Sequence, residues 1–134
     1  MDKTPALNPE LVCEFVAKAH GDLPRVKELL DQEPALLNAC WDWGGGDWET
    51  ALGAAAHMGR ADIATYLIDK GARLDIFAAA MLGKLDVVQA IAALQPNALT
   101  APGPHGIPLI VHAQKGGDAA AAVVDFLKSS ASAG

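Results

Sequence analysis

The feature that most constrains this chain is that it repeats itself. Four segments carry a short alanine-rich stretch, a glycine, and then a longer amphipathic stretch: FVAKAHGDLPRVKELL (15–30), LGAAAHMGRADIATYLI (52–68), FAAAMLGKLDVVQAIA (77–92) and LIVHAQKGGDAAAAVVDFL (109–127). Gly21, Gly59, Gly83 and Gly116 mark the break, each expected to end a first helix, where glycine tolerates the left-handed conformation. Asp22, Asp62, Asp86 and Asp118 follow, and acids suit the start of a second helix. In the second helices Val26, Leu29 and Leu30, then Ile63, Leu67 and Ile68, then Val87, Val88 and Ile91 fall at helical spacing. One helix pair cannot bury such a face alone, whereas a stack of four can. The fold class expected is therefore all-α, a helical-repeat solenoid of about four helix pairs.

Composition agrees with this and excludes several functions. The chain has 134 residues, of which 51% are hydrophobic and only 5% aromatic. Alanine-rich, leucine-dotted sequence favours close-packed helices. A formal net charge of −6 and a pI near 5.0 argue against nucleic-acid binding or an anionic membrane as partner. No apolar run follows the start MDKTPALNPE, and no 18-residue apolar stretch is free of Gly, Pro or charge, so neither a signal peptide nor a membrane span is expected. Cys13 and Cys40 give no disulfide framework, which fits a reducing, cytoplasmic setting.

The segment TALGAAAHMGRADIATYLIDKGARLD (50–75) resembles the ankyrin repeat, whose pattern is T-P-L-H-x-A-A-x-x-G, then a second helix ending in L-L-x-x-G-A, then a hairpin loop. IPLIVHAQKGG (107–117) and FAAAMLGKLDVV (77–88) match in part. The resemblance implies one domain over 10–128, with repeats at about 11–38, 47–75, 76–100 and 104–128, an extension at 1–9 and a flexible tail at 129–134. It also implies a protein-binding scaffold as the commonest use of the fold.

Departures from that pattern locate the candidate site. The marker glycines are 38, 24 and 33 residues apart, against a family period of about 33. The first gap is long because the loop at 39–49 is expanded. The second is short because GARLD runs straight into IFAAAML, leaving no room for a hairpin between repeats two and three. The hairpin before repeat four, LTAPGPHGIP, is near normal in length and stiffened by Pro102, Pro104 and Pro108. A missing hairpin beside an oversized one makes a pocket, with Phe77 and Met81 as its expected floor.

The oversized loop, CWDWGGGDWET (40–50), holds all three tryptophans. Trp41, Trp43 and Trp48 either plug the gap as ordinary core or form an aromatic clamp; folded back over the vacancy on Gly44, Gly45 and Gly46, they would close it. Asp47 and Glu49 are solvated loop acids, Asp47 also a candidate Asx-turn residue, or else carboxylates raised in pKa by an aromatic setting. In the family pattern positions 47 and 49 face the concave side. His57 and Met58 occupy groove positions before a marker glycine, as do His20, Met81, Leu82, Gln114 and Lys115. His112 falls where the pattern has alanine, so it is a core histidine bonded to a carbonyl or an orienting imidazole. His105, on the PGPHG turn, is pocket wall or plain surface.

Two uses of these residues are open. One is a binding module holding a peptide or small organic ligand, with Trp41, Trp43, Trp48, Met58, Phe77, Met81 and His105 as contacts. The other is a cofactor-independent acid–base enzyme using Asp47, Glu49, His57 and His112. No metal-ligand spacing, nucleophile elbow or phosphate loop is present, so no metal and no cofactor is expected. The sequence leaves the oligomeric state open.

Overall fold

The computed structural model describes residues 4–133, with the side chains of the last two left out. Eight α-helices form four antiparallel pairs: α1 (Pro9–Lys18) with α2 (Leu23–Gln32), α3 (Ala51–His57) with α4 (Ala61–Asp69), α5 (Ile76–Met81) with α6 (Leu85–Leu94), and α7 (Leu109–Lys115) with α8 (Ala121–Ala133). This is an ankyrin-type helical solenoid. α8 runs on through the residues expected as a tail; Gly134 and residues 1–3 of the N-terminal extension lie outside the described residues.

Local chemistry sets the helix starts. Asn8, Asp22, Thr50 and Asp75 cap α1, α2, α3 and α5, each side chain accepting from a backbone N–H of the first turn. Proline follows the cap of α1 directly and that of α2 one residue later, where its missing N–H costs nothing. The first helices pack through alanine. Ala51, Ala54, Ala55 and Ala56 on α3, and Ala78, Ala79 and Ala80 on α5, are fully buried. Only a methyl-sized side chain lets neighbouring backbones approach so closely. The second helices supply bulk, with Val26, Leu29, Ile63, Leu67 and Val88 fully buried.

The marker glycines divide into two kinds. Gly59 (φ 67°) and Gly83 (φ 74°) take the expected left-handed turn. Gly116 does not (φ −74°), and its neighbour Gly117 (φ 63°) does instead. Gly116 is required for another reason: a Cβ there would stand 2.1 Å from the Met81 carbonyl oxygen. Gly21 has no left-handed φ either.

One two-stranded antiparallel sheet occurs among the described residues, β1 (Cys40–Asp42) with β2 (Trp48–Thr50), pairing Trp41 with Glu49 and Asp42 with Trp48. The connection from α4 to α5 contains no strand, as the short glycine spacing requires. The segment before α7 is not a hairpin; it holds 3-10 turns at Pro96–Leu99 and Pro104–Gly106. The stack curls enough that α7 touches α3 as well as α5, bringing the turn before α7 across the missing hairpin toward β2.

Candidate functional site

The hairpin tip is shaped by its own polar atoms. Gly44, Gly45 and Gly46 have φ of 139°, 64° and 90°, values that L side chains rarely adopt. The Asp42 carboxylate accepts from the Gly44 N–H (2.8 Å) and the Gly46 N–H (3.0 Å), so the Asx-turn residue is Asp42 rather than Asp47. Strand alternation then puts Trp41, Trp43, Asp47 and Glu49 on one face, Asp42 and Trp48 on the other.

Asp47 reaches across 58 positions of sequence. It accepts from the His105 backbone N–H (2.7 Å) and lies 2.7 Å from His105 Nδ1. Those two bonds hold Asp47 below the usual carboxylate range, the backbone N–H contributing most. The vacancy is thus bridged by the PGPHG turn. Gly46, Asp47 and Trp48 of the tryptophan loop line the recess beside that turn. His105 has φ 61°, the one non-glycine residue among the described residues with positive φ. Strain of this kind persists only where surrounding contacts enforce it.

Glu49 is the centre of the arrangement. Its side chain is fully buried, and four groups from four elements converge on it. The Trp43 indole N–H donates to Oε1 (2.9 Å). His20 Nε2, just past α1, stands 3.2 Å from Oε1. His57 Nε2, at the end of α3, stands 2.9 Å from Oε2, and His105 Nε2 3.3 Å from the same oxygen. The three rings pack edge to face or tilted, with His57 4.9 Å from His20 and 5.3 Å from His105 between centroids. Burial alone would push the Glu49 carboxyl up. The His20 and His57 contacts, the His20 charge and the indole N–H together outweigh it and hold the group near 2. His20 is correspondingly raised, chiefly by Glu49. His57 Nε2 and Glu49 Oε2 are close enough for an ion pair but poorly aligned, so each is a buried polar atom with no hydrogen-bond partner.

Outside the cluster the candidates separate. His112 is buried behind it, its Nδ1 2.9 Å from the Pro108 carbonyl and its ring 4.7 Å from Phe77. Burial depresses its pKa. Met81 is only 1% exposed and belongs to the core, so it cannot be a groove floor as expected. Phe77 does line a recess, with Trp48, Asp47, Pro102 and Pro104, of about 360 Å³. Trp48 is 60% exposed there, and Met58 is exposed at the end of α3. Trp41 is half-buried opposite Glu49. A larger concavity of about 750 Å³ lies at the far end, against Leu99, Ile110 and Leu127, and none of the histidines or acids lines it.

Sequence reasoning placed His20 in the groove but gave it no role. Its signal was there: His20 and His57 occupy the two neighbouring groove positions of adjacent units, one residue and two residues before their marker glycines.

Residues 47–78 match the ankyrin-repeat family model. Comparison with curated proteins and with solved structures returned no match. An ankyrin repeat suggests a protein–protein interaction module. No helix among the described residues is long and apolar enough to cross a membrane.

Proposed function

Starting from a chain with one segment, 47–78, that matches the ankyrin repeat, we propose a binding module that seats one group of a peptide loop, or a small organic ligand, in the recess left by the missing hairpin. The observation that carries this reading is the Trp48–Phe77 recess. A solvent-facing indole and a second aromatic ring lining one recess, walled by Pro102 and Pro104, make the kind of rigid apolar anchor site on which binding energy concentrates. Its size suits one side chain or a small molecule rather than a broad protein surface. The two free cysteines fit a reducing compartment such as the cytoplasm.

The acid–base alternative needs a carboxylate that meets substrate. Glu49 is enclosed by Trp43, His20, His57 and His105, and Asp47 is occupied by His105, which favours binding over proton transfer as the use of this face.

Trp48→Ala is the test, because an exposed ring can be removed without unfolding the chain. Fragment and peptide libraries are screened by tryptophan emission and by calorimetry against both proteins. The reading expects a ligand that shifts wild-type emission and loses at least tenfold in affinity in the variant. Equal affinity in the two proteins would overturn the assignment of the recess.

A further inference from the structure

We infer that His20, Glu49, His57 and His105 form a binding site for one divalent transition-metal ion of the Zn²⁺ type. This goes beyond the recess: none of these four residues lines it, and the two sites share only Asp47.

The donor atoms are already gathered. One ligand atom from each of the four residues lies within 4.8 Å of every other. The three contacts to Glu49, at 3.2, 2.9 and 3.3 Å, lie at or just under the spacing of neighbouring ligands around a tetrahedral ion. With bonds of about 2.0–2.1 Å that spacing is roughly 3.3 Å. The donors furthest apart, within 4.8 Å of one another, close toward that spacing by ring rotation to complete the set.

The rings are also oriented as metal ligands are. His20 Nδ1 lies 3.0 Å from the Ala17 carbonyl and 3.1 Å from that of Val16, both acceptors, so Nδ1 carries the proton. His105 Nδ1 faces the Asp47 carboxylate at 2.7 Å, with the same consequence. Each neutral ring therefore turns the lone pair of Nε2 toward Glu49. A carboxylate-bound or carbonyl-bound imidazole presenting its other nitrogen is the usual outer support of a metal site. Lone pairs facing a buried carboxylate repel it unless a cation, either a proton or a metal ion, stands between them. The unpartnered Glu49 Oε2 and His57 Nε2 mark where that cation belongs.

The donor set selects the ion. Three imidazoles and one carboxylate, with no thiolate, suit zinc, cobalt or nickel over calcium or magnesium, which prefer all-oxygen shells. Cys40 and Cys13 take no part. The side chains of His20 and His105 are a quarter to a third exposed, which leaves a way in for the ion and for a water ligand.

The experiment uses the intact chain stripped with chelator and titrated with Co²⁺ and Zn²⁺. The site expects one equivalent of Co²⁺ to give the intense visible bands of a four- or five-coordinate nitrogen–oxygen complex, bleached by one equivalent of Zn²⁺. Calorimetry should show Glu49→Gln and His105→Gln weakening Zn²⁺ at least a hundredfold, and Asp47→Asn weakening it 10–100-fold through the orientation of His105. His112→Asn, outside the cluster, should bind as wild type does. Weak, multi-equivalent binding that the cluster variants share with wild type would mean ordinary surface coordination and overturn the site. So would a pale octahedral cobalt spectrum of the folded wild-type protein, a readout that needs no variant to fold.

Discussion

Trp43 and Trp48 sit five positions apart on one hairpin, yet the structure gives them opposite duties. Trp43 spends its N–H on the buried Glu49 carboxylate, whereas Trp48 spends nothing and faces solvent. Trp43→Phe should therefore cost roughly 1.5–3 kcal/mol, the worth of a hydrogen bond to a charged group. Trp48→Ala should stay within about 0.5 kcal/mol, as exposed substitutions do. Urea denaturation compares them directly, and equal losses would show that the hairpin merely plugs the core. His112 gives a pH prediction. Its folded pKa is depressed by burial, so below its ordinary value the unfolded chain binds the extra proton. Its contribution to stability is present above about pH 6.5 and is lost as pH falls from there toward the folded value. His112→Asn keeps a donor for the Pro108 carbonyl and removes the titration. Between pH 8 and pH 5 its urea midpoint should fall less than that of wild type; identical slopes would mean the ring is not buried as a neutral group.

The elements are held at their spacing by backbone contacts that only glycine allows. A Cβ on Gly83 would lie 2.0 Å from the Ala119 carbonyl oxygen, in a residue whose φ is already +74°. Gly83→Ala should cost roughly 2–5 kcal/mol, combining left-handed strain with overpacking between pairs three and four. Gly45→Ala shares the positive φ but meets nothing within 4 Å, so it should cost only about 1–2 kcal/mol. Thermal midpoints separate the two, and equal shifts would mean the close approach is not real. These elements were legible because their causes are local. Alternating alanine and bulky faces, capping acids and marker glycines all act within a few residues, so the four helix pairs and the missing hairpin could be read from spacing. The exception is the fourth break, where Gly116 and Gly117 compete. Packing against Met81 decides between them, and no local rule contains that contact.

At the scale of the whole molecule the site is a product of curvature. His20, Glu49, His57 and His105 are spread over 86 residues and match no ligand motif. They meet because α7 reaches α3 across the gap and carries the PGPHG turn with it. Sequence spacing could propose Asp47, Glu49 and His57 as inward-facing from the repeat pattern. It could not show His105 arriving from two units away. The same curvature ties the two halves of the core together through Phe77, which packs against both. Unfolding should accordingly be one transition, with tryptophan emission, which reports only the hairpin, coinciding with helical circular dichroism, which reports every pair. Separate midpoints would mean that the halves unfold independently. The claim beneath all of this is that three imidazoles from distant units converge on one buried carboxylate. Nitrogen-detected NMR of the imidazoles, with and without Glu49→Gln, measures it most directly. His20 and His105 should be Nδ1–H tautomers, and the ring signals of His20, His57 and His105 should all move together in the variant. Rings that behave as separate solvated imidazoles, untouched by the substitution, would contradict it.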